Sequence, residues 1–97
     1  MGKLRIISDE KETAEIIKSA VSAELKRLEI GLNKTEKEIK KFEEEYKASS
    51  EVFLNTFTAE NMKRGDEEYI RWAGEIKIRD RILEDLKKLK DIEYVSN

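Results

Sequence analysis

The side chains able to do chemistry in this chain are almost all carboxylates. Its 97 residues hold 22 Asp and Glu against 20 Lys and Arg, with no histidine and no cysteine. That removes the commonest general base, the thiol nucleophile and the usual transition-metal ligands, so an ordinary hydrolytic triad, a zinc thiolate site and an internal disulfide are excluded. Oxygen ligands alone can still hold Mg²⁺ or Ca²⁺. Glu12 and Glu15 make one Glu-x-x-Glu, half of the carboxylate set of all-α nucleotide hydrolases, but no later Glu-x-x-Asp completes it. The Glu-x-x-His of di-iron bundles cannot occur without histidine. Glu43-Glu44-Glu45 reads as a solvated helix face, the ordinary fate of a charge run. No catalytic residue, metal ligand or cofactor is assigned, and the chain is read as noncatalytic.

Phosphate recognition fares no better. Residues 1–46 and 47–97 each contain ten basic and eleven acidic side chains, so each half carries a net charge of −1 and neither is a basic arm. Lys40-Lys41, Lys63-Arg64 and Lys87-Lys88 are flanked by acids and too small for a nucleic-acid footprint. There is no glycine-rich phosphate loop. Arg64-Gly65-Asp66 spells an adhesion tripeptide, yet a helix-closing glycine followed by an aspartate at the start of the next helix explains it fully.

What must position these residues is helix. The chain has no proline and four glycines, and 43% of it is charged against 38% hydrophobic, proportions suited to long helices or a helical oligomer rather than a thick globular core. Between Leu25 and Tyr46 an apolar stripe runs through Leu25, Leu28, Leu32, Ile39, Phe42 and Tyr46, alternating three- and four-residue steps interrupted only by Thr35. This is the seam of a coiled coil, a narrow stripe that must be buried against another helix. Upstream it continues through Val21, Ile17 and Ala14 to an expected start at Asp9, where Asp9 with Glu12 resembles a capping box. Gly31 lies beside the seam and costs about 1 kcal/mol relative to alanine without ending the helix.

The periodicity stops at Lys47-Ala48-Ser49-Ser50. Ser49 or Ser50 can cap a short helix through Phe57, Thr58 another turn through Arg64, and Gly65-Asp66 mark the start of a last helix to about Glu93. Tyr69, Trp72, Ile76, Leu83 and Leu86 form its stripe, widened by Ile82, Leu89 and Ile92. Five acid-to-base pairs four residues apart support the helices: Glu36 with Lys40, Glu43 with Lys47, Glu67 with Arg71, Glu75 with Arg79 and Glu84 with Lys88. Six of the seven aromatic residues are clustered at Phe42, Tyr46, Phe53, Phe57, Tyr69 and Trp72. If the long helices are antiparallel these meet at the closed end of a hairpin, as an aromatic core or a partner-binding surface.

Lys41-Phe42-Glu43-Glu44-Glu45-Tyr46, Ser49-Ser50-Glu51-Val52-Phe53, Phe57, Gly65-Asp66-Glu67-Glu68-Tyr69 and Trp72 together resemble small prokaryotic coiled-coil proteins encoded beside a short toxin-like neighbour, generally regarded as antitoxin-type partners. The similarity spans residues 36–90. Lys47-Ala48 departs from it, because relatives commonly have a glycine soon after the tyrosine. What the resemblance implies is protein binding.

The expected fold is thus all-α and single-domain: an arm at 1–8, helix at 9–46, a helical connector at 50–64, helix at 66–93 and a tail at 94–97. The arm, Leu4 to Ile7, is expected to be frayed more than stranded. Two copies are expected to pair into a four-helix arrangement through a self-association seam of Ile17, Val21, Leu25, Leu28, Leu32, Ile39, Ile76, Leu83 and Leu86. The expected function is a noncatalytic protein–protein interaction module, an antitoxin-type partner of a small protein encoded nearby. The alternatives are a metal-dependent all-α nucleotide hydrolase and a helical nucleic-acid-binding protein. No apolar run approaches the ~20 residues of a membrane span, and the apolar part of the start is too short for a signal peptide. A cytoplasmic location is expected, and the lack of Cys, His and Gln beside abundant Lys and Glu points to a thermophilic source.

Overall fold

The computed structural model describes residues 3–96. Its elements run β1 (Arg5–Ser8), α1 (Lys11–Tyr46), α2 (Ser50–Thr56), a single 3₁₀ turn (Ala59–Asn61), α3 (Asp66–Lys90) and β2 (Glu93–Ser96). α1 and α3 form a hairpin, and the molecule measures 60 × 25 × 18 Å. The 36 residues of α1 account for about 54 Å of that length.

The hairpin closes on the predicted stripe. Leu28, Ile39 and Phe42 of α1 and Trp72, Ile76 and Leu86 of α3 are buried within one chain. Ile17, Val21, Leu25 and Leu32 are half-buried, and only Leu83 of the expected self-association seam is exposed. Each buried aliphatic side chain contributes about 1.5–3 kcal/mol, which is what holds two highly charged helices together. Thr35, the one polar residue in the stripe, is also buried. Its hydroxyl lies 2.9 Å from the Glu75 carbonyl oxygen and 2.6 Å from the Glu75 carboxylate, a polar tie that fixes the register of the two helices. α1 is continuous through Gly31, where an added Cβ would sit at ordinary contact distance, 3.4 Å, from Ile82 Cδ1.

Several local expectations give way. α1 begins at Lys11 with Glu10 as its N-cap and no side-chain cap; Ser8 Oγ, not Asp9, organises the entry, accepting from the Glu10 N–H at 3.1 Å. α3 begins at Asp66, with Gly65, whose φ of 60° suits glycine, rather than Asp66 as its N-cap, and it ends at Lys90 rather than Glu93. Among the described residues none of the five expected acid-to-base pairs forms. Glu43 instead accepts from the Ser50 N–H and hydroxyl at 2.8 and 2.9 Å, Glu75 takes Thr35, Arg71 faces Glu38 at 3.8 Å, and Arg79 turns to Asp80 at 3.1 Å. Exposed helix pairs are worth only ~0.2–0.5 kcal/mol, so competing hydrogen bonds redirect them easily.

The largest departure is at the open end. Leu4 to Ile7 is not a frayed arm, and the tail is not a tail: β1 and β2 pair in parallel, with Arg5 opposite Glu93, Ile6 opposite Tyr94 and Ile7 opposite Val95. Met1, Gly2 and Asn97, the outer limits of those two expected segments, lie outside the described residues. The fold is therefore a helical hairpin with a two-stranded sheet. Ile82 faces Gly31 about two turns before α3 ends at Lys90, so only the first turns of α1 project beyond α3, and the sheet packs beside them. Lys18 Nζ sits 5.2 Å above the Tyr94 ring there, and Arg5 and Lys3 reach Glu93 at 3.4 and 3.6 Å.

Candidate functional site

The aromatic residues meet at the closed end of the hairpin. Trp72 lies between Phe53, stacked at 3.9 Å between ring centroids and 8° from parallel, and Phe42, stacked at 5.5 Å. Tyr46 stacks on it from a third side at 5.9 Å, Phe57 approaches edge-on at 6.0 Å, and Tyr69 tilts against Phe53 at 5.0 Å. Phe53 and Trp72 are 0% exposed, and Met62, Ile39 and Ile76 complete the buried cluster. Of the six aromatics, Phe42, Phe53 and Trp72 are core, while Tyr46, Phe57 and Tyr69 are half-buried at its rim.

Polar groups lock this end. Trp72 Nε1 donates to Ser50 Oγ at 3.0 Å, and Ser50 in turn donates to Glu43, so the indole, α2 and α1 are joined through one serine. Ser49 Oγ caps α2 by accepting from the Val52 N–H at 3.1 Å. Glu68 is buried and accepts from the Tyr46 hydroxyl and from the Arg64 N–H at 3.0 Å, while the Lys63 N–H donates to the Tyr46 oxygen at 2.9 Å. The Tyr46 hydrogen bond, opposed by burial and helped by the Arg64 N–H and the nearby Arg64 and Lys63 charges, holds the Glu68 carboxyl below its usual range. Burial, then the hydrogen bond to Glu68, pushes the Tyr46 phenol up. This is a closed structural network that ties the connector to both helices.

Chemistry therefore has to be sought on the surface. Glu12 and Glu15 are exposed on the first turns of α1, and among the described residues no group of three or more carboxylates is placed to hold a metal ion. Among those residues, also, no helix is long and apolar enough to cross a membrane.

What the surface does present is apolar. Ile70 is 67% exposed and Ile78 51% exposed on α3, and both lie on the side away from α1. Gly74 stands between them, four residues from each, and an added Cβ there would meet nothing within 4 Å. On the outer side of α1, Ile16 is 70% and Ile30 62% exposed. Val52 and Leu54 on α2, Leu4 and Ile7 at the sheet, and Leu83 are exposed as well. The seam-based reading missed Ile16, Ile30, Ile70 and Ile78 as surface features. Their signal was available: each is an isoleucine out of phase with the buried stripe of its own helix.

No family model, curated protein or solved structure matches this chain.

Proposed function

We propose that the protein is a noncatalytic protein–protein interaction module that pairs with itself and with a second protein, the latter docking on the outer face of α3. The observation that carries this reading is Ile70-Gly74-Ile78. A glycine in a helix interior costs about 1 kcal/mol against alanine, and the fold offers Gly74 no compensation, since a methyl group there touches nothing. Two exposed isoleucines flank the notch. A partner helix or strand approaching the backbone at Gly74 and burying both isoleucines gives the glycine a use and removes apolar surface from water.

The resemblance of residues 36–90 to antitoxin-type coiled-coil proteins supports the same class of activity, with a small protein encoded nearby as the second partner. The aromatic end is taken up by the fold, which favours the helix backs over the aromatic cluster as the docking surface.

The test is recovery of the tagged protein from the cells that make it, beside Ile78→Glu and Gly74→Ala counterparts. A companion protein at stoichiometric yield with the wild type, lost with both variants while their helical circular dichroism is unchanged, is the expected result. Absence of any stoichiometric companion, or one retained by both variants, overturns the assignment to this face.

A further inference from the structure

We infer that the second copy of this chain packs antiparallel along the outer face of α1, centred on Ala23; this rests on the reading that the protein self-associates and assigns the surface. Of the predicted seam, Leu28, Ile39, Ile76 and Leu86 are buried inside one hairpin and Ile17, Val21, Leu25 and Leu32 are half-buried, so the more exposed apolar surface of α1 is on its other side. The opposite side of α1 carries a second heptad line, Ile16, Ala23, Ile30 and Lys37, each seven residues apart, with Glu12, Ala20, Arg27 and Lys34 beside it and Asp9 just before the helix. Seven residues are almost two turns, so these positions share one stripe, about 150° around the helix from Leu28, Thr35 and Ile39. Ile16, Ala20, Ala23 and Ile30 are all exposed on it.

Its charges are polarised. Asp9 and Glu12 stand at one end and Lys34 and Lys37 at the other, all exposed. Among the described residues none of the four has an ion-pair partner within its own chain. Antiparallel pairing about Ala23 brings each end against its complement: Ile16 meets Ile30 of the partner subunit, Glu12 meets Lys34 of the partner subunit, and Asp9 meets Lys37 of the partner subunit. Parallel pairing would instead set like charges together, and opposite charges set register and orientation in helix pairs. Arg27 falls opposite Ser19 of the partner subunit and needs no acid there, because Glu24 already holds it with hydrogen bonds of 2.6 and 2.7 Å. Alanine at the centre lets the backbones come close. A shallow groove lined by Ile30, Asn33, Lys34, Lys37, Glu38 and Lys41, three lysines to one acid, would receive Ile16 of the partner subunit with Glu12 of the partner subunit near its lysines. The pairing leaves the outer face of α3 open for the second protein.

Because the chain has no cysteine, Ala23→Cys tests the centre directly. Mild oxidation is expected to convert this variant to a disulfide-linked dimer, while Gly74→Cys stays monomeric on a denaturing gel. In light scattering, Glu12→Lys and Lys34→Glu are each expected to raise the dimer dissociation constant about tenfold or more, and the double reversal to restore it. A wild-type chain that is monomeric at every concentration overturns self-association itself. A wild type that dimerises while Gly74→Cys links and Ala23→Cys does not, or whose association ignores the charge reversals, leaves self-association standing and overturns this surface.

Discussion

Trp72, Ser50 and Glu68 show how single side chains tie this hairpin shut. Truncation of Trp72 to alanine removes the ring on which Phe42, Phe53 and Tyr46 stack, and the expected loss is about 3–5 kcal/mol in urea unfolding. Ser50→Ala strands the buried indole N–H and one carboxylate contact, at about 1–3 kcal/mol. Glu68 and Tyr46 predict the pH profile. A carboxyl held below its unfolded value binds fewer protons folded than unfolded, so its stabilisation is complete above the unfolded pKa, ~4.3, and is lost as pH falls through the folded pKa. A phenol pushed above its unfolded value does the reverse: its contribution is complete below ~10 and is lost as pH rises through the folded pKa. Thermal melts across pH are therefore expected to show a plateau between these limits with a falling arm on each side. Glu68→Gln is expected to flatten the acid arm and, by removing one of the causes that raise the Tyr46 phenol, to lessen the alkaline arm; an unchanged acid arm would mean that another carboxylate governs it.

Among the elements, the long helices were legible in the sequence because a stripe at three- and four-residue steps leaves little choice of partner face. Leu28, Ile39, Ile76 and Leu86 are buried where that spacing puts them, and Thr35 occupies the stripe because Glu75 gives its hydroxyl a partner. The spacing says that a stripe is buried, not whether the covering helix belongs to the same chain, and here α3 supplies it. Ion pairs were not legible, since Glu43 and Glu75 had stronger offers across the fold. β2 was invisible for a different reason: Glu93-Tyr94-Val95 is too short to announce a strand, and its partner β1 lies across the entire hairpin. A two-stranded parallel ribbon is marginal alone and depends on its seat against α1. Ile6→Pro, which deletes a donor facing β2, is thus expected to speed amide exchange in β1 and β2 while leaving the aromatic end protected. Gly31→Ala is expected to stabilise α1 by up to about 1 kcal/mol, the Ile82 contact being an ordinary one; destabilisation would show that the helices cannot give even that much.

At the scale of the molecule, burial and function part company. The stripe and the aromatic cluster account for the fold, leaving Ile16, Ile30, Ile70 and Ile78 exposed on the backs of two helices that need nothing from them. Exposed isoleucines in so charged a chain are the part of the sequence that the fold does not explain, and the proposed binding would account for them. The most direct measurement is sedimentation of the wild type beside a chain with all four changed, Ile16→Glu, Ile30→Glu, Ile70→Glu and Ile78→Glu, each scanned for helix content and melting. We expect the wild type to associate and the fourfold variant to sediment as a monomer with the same helix content and a transition within a few degrees. A variant that unfolds would place these side chains in the fold after all, and one that associates like the wild type would contradict their role as the binding surface.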